Sequence, residues 1–135
     1  MSETIPSVAI VEDDGTLAFM MEEMCSSAGL KVVGCVGNAD DAVALVEREM
    51  PDILLLDFNI EGDRNGLELI GEVKDIHPGM RTVLVTGWDI NDIASRIEGV
   101  QPDRILRKPV LPHVLMEVVD HVRANGAMAG RSAAN

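Results

Sequence analysis

Four places in this sequence carry side chains able to handle a charged group. Asp57 closes the run Pro51-Asp52-Ile53-Leu54-Leu55-Leu56-Asp57, in which apolar residues lead straight into one carboxylate. Glu12, Asp13 and Asp14 follow the short run Ser7-Val8-Ala9-Ile10-Val11. Thr86 offers a hydroxyl, and Lys108, just before Pro109, an ammonium group. If brought together, the carboxylates repel one another, and the cluster is costly unless a cation compensates it. All-oxygen ligands without a His or Cys cluster select a hard cation, Mg²⁺ before Zn²⁺. Mg²⁺ commonly takes one or two carboxylates, waters and a phosphate oxygen. A lysine ammonium and a threonine hydroxyl suit the remaining phosphoryl oxygens. A central aspartate can then act as a nucleophile and form an aspartyl phosphate. The metal and Lys108 would stabilise charge in the transition state.

The elements must bring these groups together. Ile53 to Asp57, after Pro51, reads as a strand buried on both faces. Ser7–Val11, Lys31–Val36, Arg81–Thr86 and Asp103–Arg107 read as four more strands. Helices are expected between them. Leu17, Met20, Met21, Met24, Cys25 and Ala28 form the stripe of the first, which stops at Gly29. Asn38 or Asp40 caps the second, with Ala39, Ala42, Val43, Val46 and Met50 facing inward. A polar loop over 59–65 leads to the third, with Gly66, Leu69, Ile70 and Val73 inward and His77-Pro78-Gly79 at its end. Asp89 caps the fourth, with the stripe Ile90, Ile93, Ala94 and Ile97. Pro112 opens the fifth, which packs Leu111, Leu115, Val118, Val119 and Val122. Strands alternating with helices predict a doubly wound parallel α/β sheet with right-handed crossovers. In such sheets ligands bind beyond the carboxyl ends of the strands. Glu12, Asp13, Asp57, Thr86 and Lys108 all fall at that rim.

Composition narrows the function further. The 135 residues suit a single domain, and 47% hydrophobic content suits a folded one. A net charge of −12 disfavours nucleic acid and anionic membrane surfaces as partners. No apolar stretch is long enough to span a bilayer, and Met1-Ser2-Glu3-Thr4 lacks the features of a signal peptide, so a cytoplasmic location is expected. Cys25 and Cys35 sit in no CxxC motif and read as reduced core residues. His77, His113 and His121 have no ligand spacing.

Val11-Glu12-Asp13-Asp14, Leu56-Asp57, Val85-Thr86-Gly87 and Arg107-Lys108-Pro109 resemble the four signatures of bacterial two-component response-regulator receiver domains. They occur in the family's order, and the resemblance covers about residues 6–125, as in a single-domain, chemotaxis-regulator-like receiver. It implies a flavodoxin-like (βα)5 fold with strand order 2-1-3-4-5. It implies Asp57 as phosphoacceptor, Glu12 and Asp13 as the acidic pair with Asp13 the direct metal ligand, and the Asn59 main-chain carbonyl as a further Mg²⁺ ligand. Thr86 resembles the switch hydroxyl, Lys108 the phosphate-binding lysine, and the Lys108-Pro109 bond is cis in the family. The implied partners are a sensor histidine kinase or phosphotransfer protein, which donates to Asp57, and a downstream protein. A homodimer could form through the face made by the fourth helix, fifth strand and fifth helix. Beyond its own phosphorylation, such a domain is not an enzyme.

The sequence departs from the pattern in the loop after Asp57, where Glu61 replaces a proline and Gly66 comes one residue late. It departs again at Ile105, where the family's switch aromatic is missing. Trp88, two positions past Thr86, is expected to shield Asp57 from water and slow dephosphorylation. Residues 1–125 are expected to form the receiver domain and 126–135 a flexible C-terminal tail. The chain then stands alone or is cut from a longer protein. Two alternatives remain. A degenerate receiver would act as an unphosphorylated interaction module. A Mg²⁺-dependent phosphatase resembling the haloacid dehalogenase family, which also uses a strand-end Asp nucleophile, would want an Asp two residues after Asp57, where Asn59 stands.

Overall fold

Successive residues of a strand point to opposite faces of a sheet, so a strand that is apolar at every position must be covered twice. β3 (Ile53–Asp57) is buried throughout. Its neighbours β1 (Ser7–Val11) and β4 (Arg81–Thr86) are buried at all but their first residues. β2 (Lys31–Val36) and β5 (Arg104–Arg107) complete a five-stranded parallel sheet of order β2-β1-β3-β4-β5. This is the expected flavodoxin-like doubly wound sheet. The structure is a computed structural model that describes residues 5–60, 62–97 and 99–121. Glu61, Val122 and the expected tail over 126–135 lie outside the described residues.

The two faces carry separate cores. Ala9, Val11, Leu54, Leu56 and Leu84 pack with α2 (Ala39–Glu49) and α3 (Gly66–Ile76), and Ile93 of α4 (Ile90–Ala94) joins them. The alternate residues Val8, Ile10, Ile53, Leu55, Val83 and Val85 pack with α1 (Gly15–Ser27) and with α5 (residues 112–121). Caps end the helices where the short polar residues stand. Asp14 accepts from the Thr16 and Leu17 N–H groups at 2.9 and 3.0 Å. Asn38, rather than Asp40, caps α2. Asn65 and Glu68 form a reciprocal capping box on α3. Gly29, at φ 85°, follows α1 as expected. Among the described residues no helix is long and apolar enough to cross a membrane.

Several stripe positions differ from expectation. Met20 is 52% exposed and Met50 46%, while Leu45, outside the expected stripe, is buried beside Val46. Met20 lies a residue to the side of the stripe, where a 100° step per residue carries it off the contact surface, and Met50 is the left-handed cap that follows α2. Leu111 is likewise exposed, since it precedes the helix. α4 has only five residues and buries Ile93 alone, leaving Ile90 and Ala94 exposed. The spacing of Ile90, Ile93 and Ile97 imitates a longer amphipathic helix that does not form.

Candidate functional site

Parallel strands deliver their carboxyl ends to one rim, and main-chain hydrogen bonds carry the ladder just past the last strand residues. Glu12 N–H donates to the Val36 carbonyl at 2.9 Å, Phe58 N–H to Val85 at 2.9 Å, and Lys108 N–H to Thr86 at 2.8 Å. The pairing register sets Asp57 against Val85 and Thr86 against Arg107. Glu12, Asp57, Thr86 and Lys108 are therefore fixed at their backbones before any side-chain contact is made.

The side chains then converge. Lys108 Nζ donates to Asp57 Oδ2 at 2.8 Å and to Glu12 Oε1 at 3.3 Å. Glu12 Oε2 accepts from Asp14 N–H at 3.2 Å, and Asp57 Oδ1 from Asn59 N–H at 3.2 Å. One carboxylate oxygen from each of Glu12, Asp13 and Asp57 lies within 4.8 Å of the others. Glu12 and Asp57 are each only 4% exposed, while Asp13 faces solvent. Burial pushes the Glu12 carboxyl above the ordinary carboxylate range; the Asp14 N–H opposes this, the Asp57 charge adds to it, and Lys108 opposes it. Burial works against the Lys108 charge, but the hydrogen bond to Asp57 and the charges of Asp57 and Glu12 outweigh it and hold the ammonium above its usual range. Lys108-Pro109 is a cis peptide bond. Thr86 is fully buried, and its Oγ1 accepts from Trp88 N–H at 2.9 Å. Ile105 is half-buried on β5, opposite Leu84. The three carboxylates form a hard, all-oxygen donor set, which suits Mg²⁺.

Residues 8–120 match the response regulator receiver domain family. The chain belongs to that family. Known receivers and regulators resemble it at modest identity. It is 28% identical over 120 residues to the probable transcriptional regulatory protein TcrX of Mycobacterium tuberculosis, covering 87% of this chain and 48% of that protein. It is 29% identical over 104 residues to the transcriptional regulatory protein PdtaR of M. tuberculosis, covering 76% of this chain and 49% of that protein. The chain thus spans about half the length of these two relatives. Among solved structures, the receiver domain of AraT, a response regulator from Geobacillus stearothermophilus, superposes with a TM-score of 0.83 at 24% identity, covering 94% of this chain and 99% of that one.

The receiver places Glu12, Asp13, Asp57 and Lys108 in one cluster, with Thr86 on the adjoining strand end and Asn59 bonded to Asp57. Three neighbours lay outside the sequence reading. Phe58 is buried and meets the Trp88 ring at 5.5 Å between centroids, with planes at 55°. Arg96 lies over that ring, 4.7 Å from its centroid. Arg64 ties the loop after Asp57 to two helices, pairing with Asp40 of α2 and, at 3.0 Å, with Glu72 of α3. Phe58 was open to notice as the residue directly after the acceptor. The other two act across turns and helices, where short-range spacing carries no signal.

Proposed function

We propose that this receiver accepts a phosphoryl group on Asp57 and uses it to switch a protein-interaction surface. The observation that carries the reading is the Lys108 ammonium, bonded at 2.8 Å to Asp57 beside the Glu12 and Asp13 carboxylates. In the resting site Lys108 neutralises charge on Asp57; during transfer the same ammonium faces the incoming phosphoryl oxygens. Glu12, Asp13, Asp57 and the Asn59 main-chain carbonyl would hold Mg²⁺, which supplies charge neutralisation for the phosphoryl group. The donor is a phosphohistidine of a sensor kinase or phosphotransfer protein. The Asp57 carboxylate attacks phosphorus, the P–N bond breaks, and the imidazole leaves. The buried Thr86 hydroxyl lies at the neighbouring strand end, ready to donate to a phosphoryl oxygen. Phosphorylation adds about −1.5 to −2 charge at a buried site, enough to bias packing around it.

The test is intact-protein mass after acetyl phosphate treatment, with and without Mg²⁺, on wild type and Asp57→Asn. The expected result is one Mg²⁺-dependent phosphoryl adduct that Asp57→Asn lacks. No adduct under any condition would overturn the reading in favour of an unphosphorylated interaction module. Continuous phosphate release without a lasting adduct would overturn it in favour of a phosphatase.

A further inference from the structure

Trp88 is the chain's one tryptophan, and its contacts join parts of the molecule with different tasks. Its main-chain N–H donates to Thr86 Oγ1 at 2.9 Å. Its ring rests on Phe58, the residue after Asp57. The Arg96 guanidinium covers the ring from the other element, at 4.7 Å from the centroid. Arg96 stands just beyond α4, and its N–H bonds the Ile93 carbonyl at 2.9 Å, so it moves with that helix. α4 is five residues long and anchored by one buried side chain. Isolated helices of that length do not hold themselves together in water, so its position is easily biased by what touches it.

We propose that Trp88 is a positioning residue that couples the phosphorylation state of Asp57 to α4, through Thr86 on one side and Arg96 on the other. The coupling rests on the phosphoacceptor reading of Asp57. A threonine hydroxyl has one proton to donate and two lone pairs to accept with. Thr86 Oγ1 can give its proton to a phosphoryl oxygen and still accept from Trp88 N–H. Movement of Thr86 towards the phosphoryl group then draws the Trp88 main chain with it. Phe58 is buried and held by its own N–H on Val85, so the indole slides on a fixed surface and carries the Arg96 guanidinium. Ile105, opposite Leu84 on β5, has neither a ring nor a side-chain donor for this purpose.

The experiment compares wild type, Asp57→Asn and Arg96→Ala in Mg²⁺ with and without acetyl phosphate. Adduct level is read by intact mass, Trp88 emission by fluorescence, and residues 90–97 by amide deuterium uptake. In wild type, phosphorylation is expected to change both the emission and the uptake over 90–97, and Asp57→Asn to show neither change. Arg96→Ala is expected to reach the wild-type adduct level and keep the emission change, with the response over 90–97 lost. An adduct in wild type without a change over 90–97, or without an emission change, overturns the coupling. So does an Arg96→Ala variant that responds like wild type over 90–97. Loss of both responses in Arg96→Ala also overturns it, because the arginine would then be holding the tryptophan rather than following it. Absence of any adduct in wild type overturns the phosphoacceptor reading itself, and the coupling with it.

Discussion

Lys108 sits between two buried carboxylates that would otherwise repel. Its Nζ is 2.8 Å from Asp57 and 3.3 Å from Glu12, so removing it takes away the ammonium beside Asp57 and leaves two buried anions uncompensated. Lys108→Ala is expected to slow adduct formation from acetyl phosphate by about 10²-fold, the usual scale for losing one preorganised electrostatic group. Time courses of intact mass at fixed Mg²⁺ check this, and a rate within twofold of wild type would remove Lys108 from the chemistry. Trp88 is expected to act at the next step. It is 39% exposed, and its ring meets that of Phe58, the residue after Asp57, at a tilt. If Asp57 is phosphorylated as proposed, a ring there would limit the approach of water to the phosphorylated carboxylate. Trp88→Ala is therefore expected to shorten the aspartyl-phosphate lifetime several-fold after removal of the donor. An unchanged decay of the adduct mass would show that the ring does not guard the site.

At the scale of elements, the site depends on how closely α3 approaches β3. A Cβ built at Gly66 would lie 2.8 Å from the Asp57 carbonyl oxygen, 2.9 Å from Leu84 Cδ1 and 3.0 Å from Phe58 Cα. Two of these neighbours are backbone and cannot turn aside. Gly66→Ala is expected to cost about 1–3 kcal/mol and to slow phosphorylation by displacing the acceptor strand; urea unfolding and adduct kinetics read the two effects separately. On the opposite face, burial pushes the Cys25 thiol up from 9.0 to about 12, with the Cys35 and Glu22 charges adding to it. The folded state keeps a proton that the unfolded chain releases first. Its contribution to stability is complete below pH 9 and is lost as pH rises towards 12. Cys25→Ala is expected to flatten that decline, seen in the slope of urea midpoints between about pH 8 and 11. These elements were largely legible beforehand. The apolar runs of β1, β3 and β4 are buried on both faces, as continuous hydrophobicity requires, and Asp14, Asn38 and Asp89 cap where their side chains compete for free N–H groups. The acidic and basic site residues could be placed because parallel strands all end at one rim. The length of α4 was not legible, since Ile90 and Ile97 have helical spacing, but Ile90 stays exposed and Ile97 lies past the end of the helix. Nor were the Arg64 and Arg96 contacts, which join segments far apart in the chain or across a turn.

The whole molecule treats its two sheet rims differently. At the amino-terminal rim, carboxylates hold the strands together. Asp52 accepts from Ser7 N–H at 2.8 Å, and Asp103 from Thr82 N–H at 2.7 Å with Lys74 and Arg81 nearby at 3.4 and 3.6 Å. At the carboxyl-terminal rim, Glu12, Asp13 and Asp57 crowd together with one lysine, in a chain of net charge −12. Like charges at this spacing strain the fold, and more so where two of the three are buried. A divalent cation that binds only the folded state must then stabilise it, by about 2.7 kcal/mol at a hundred times its Kd. Mg²⁺ is accordingly expected to raise the thermal midpoint in a saturable way. Asp13→Asn removes an exposed carboxylate of the cluster without disturbing a buried hydrogen bond, so its metal-free midpoint should equal or exceed that of wild type while the Mg²⁺ increment largely disappears. NaCl at matched ionic strength separates the two possible causes, because screening relieves repulsion everywhere on the surface whereas coordination acts at one site. An equal rise with NaCl, or an Asp13→Asn variant that gains as much from Mg²⁺ as wild type, would mean that the cluster is relieved by screening alone and that the ion is held elsewhere.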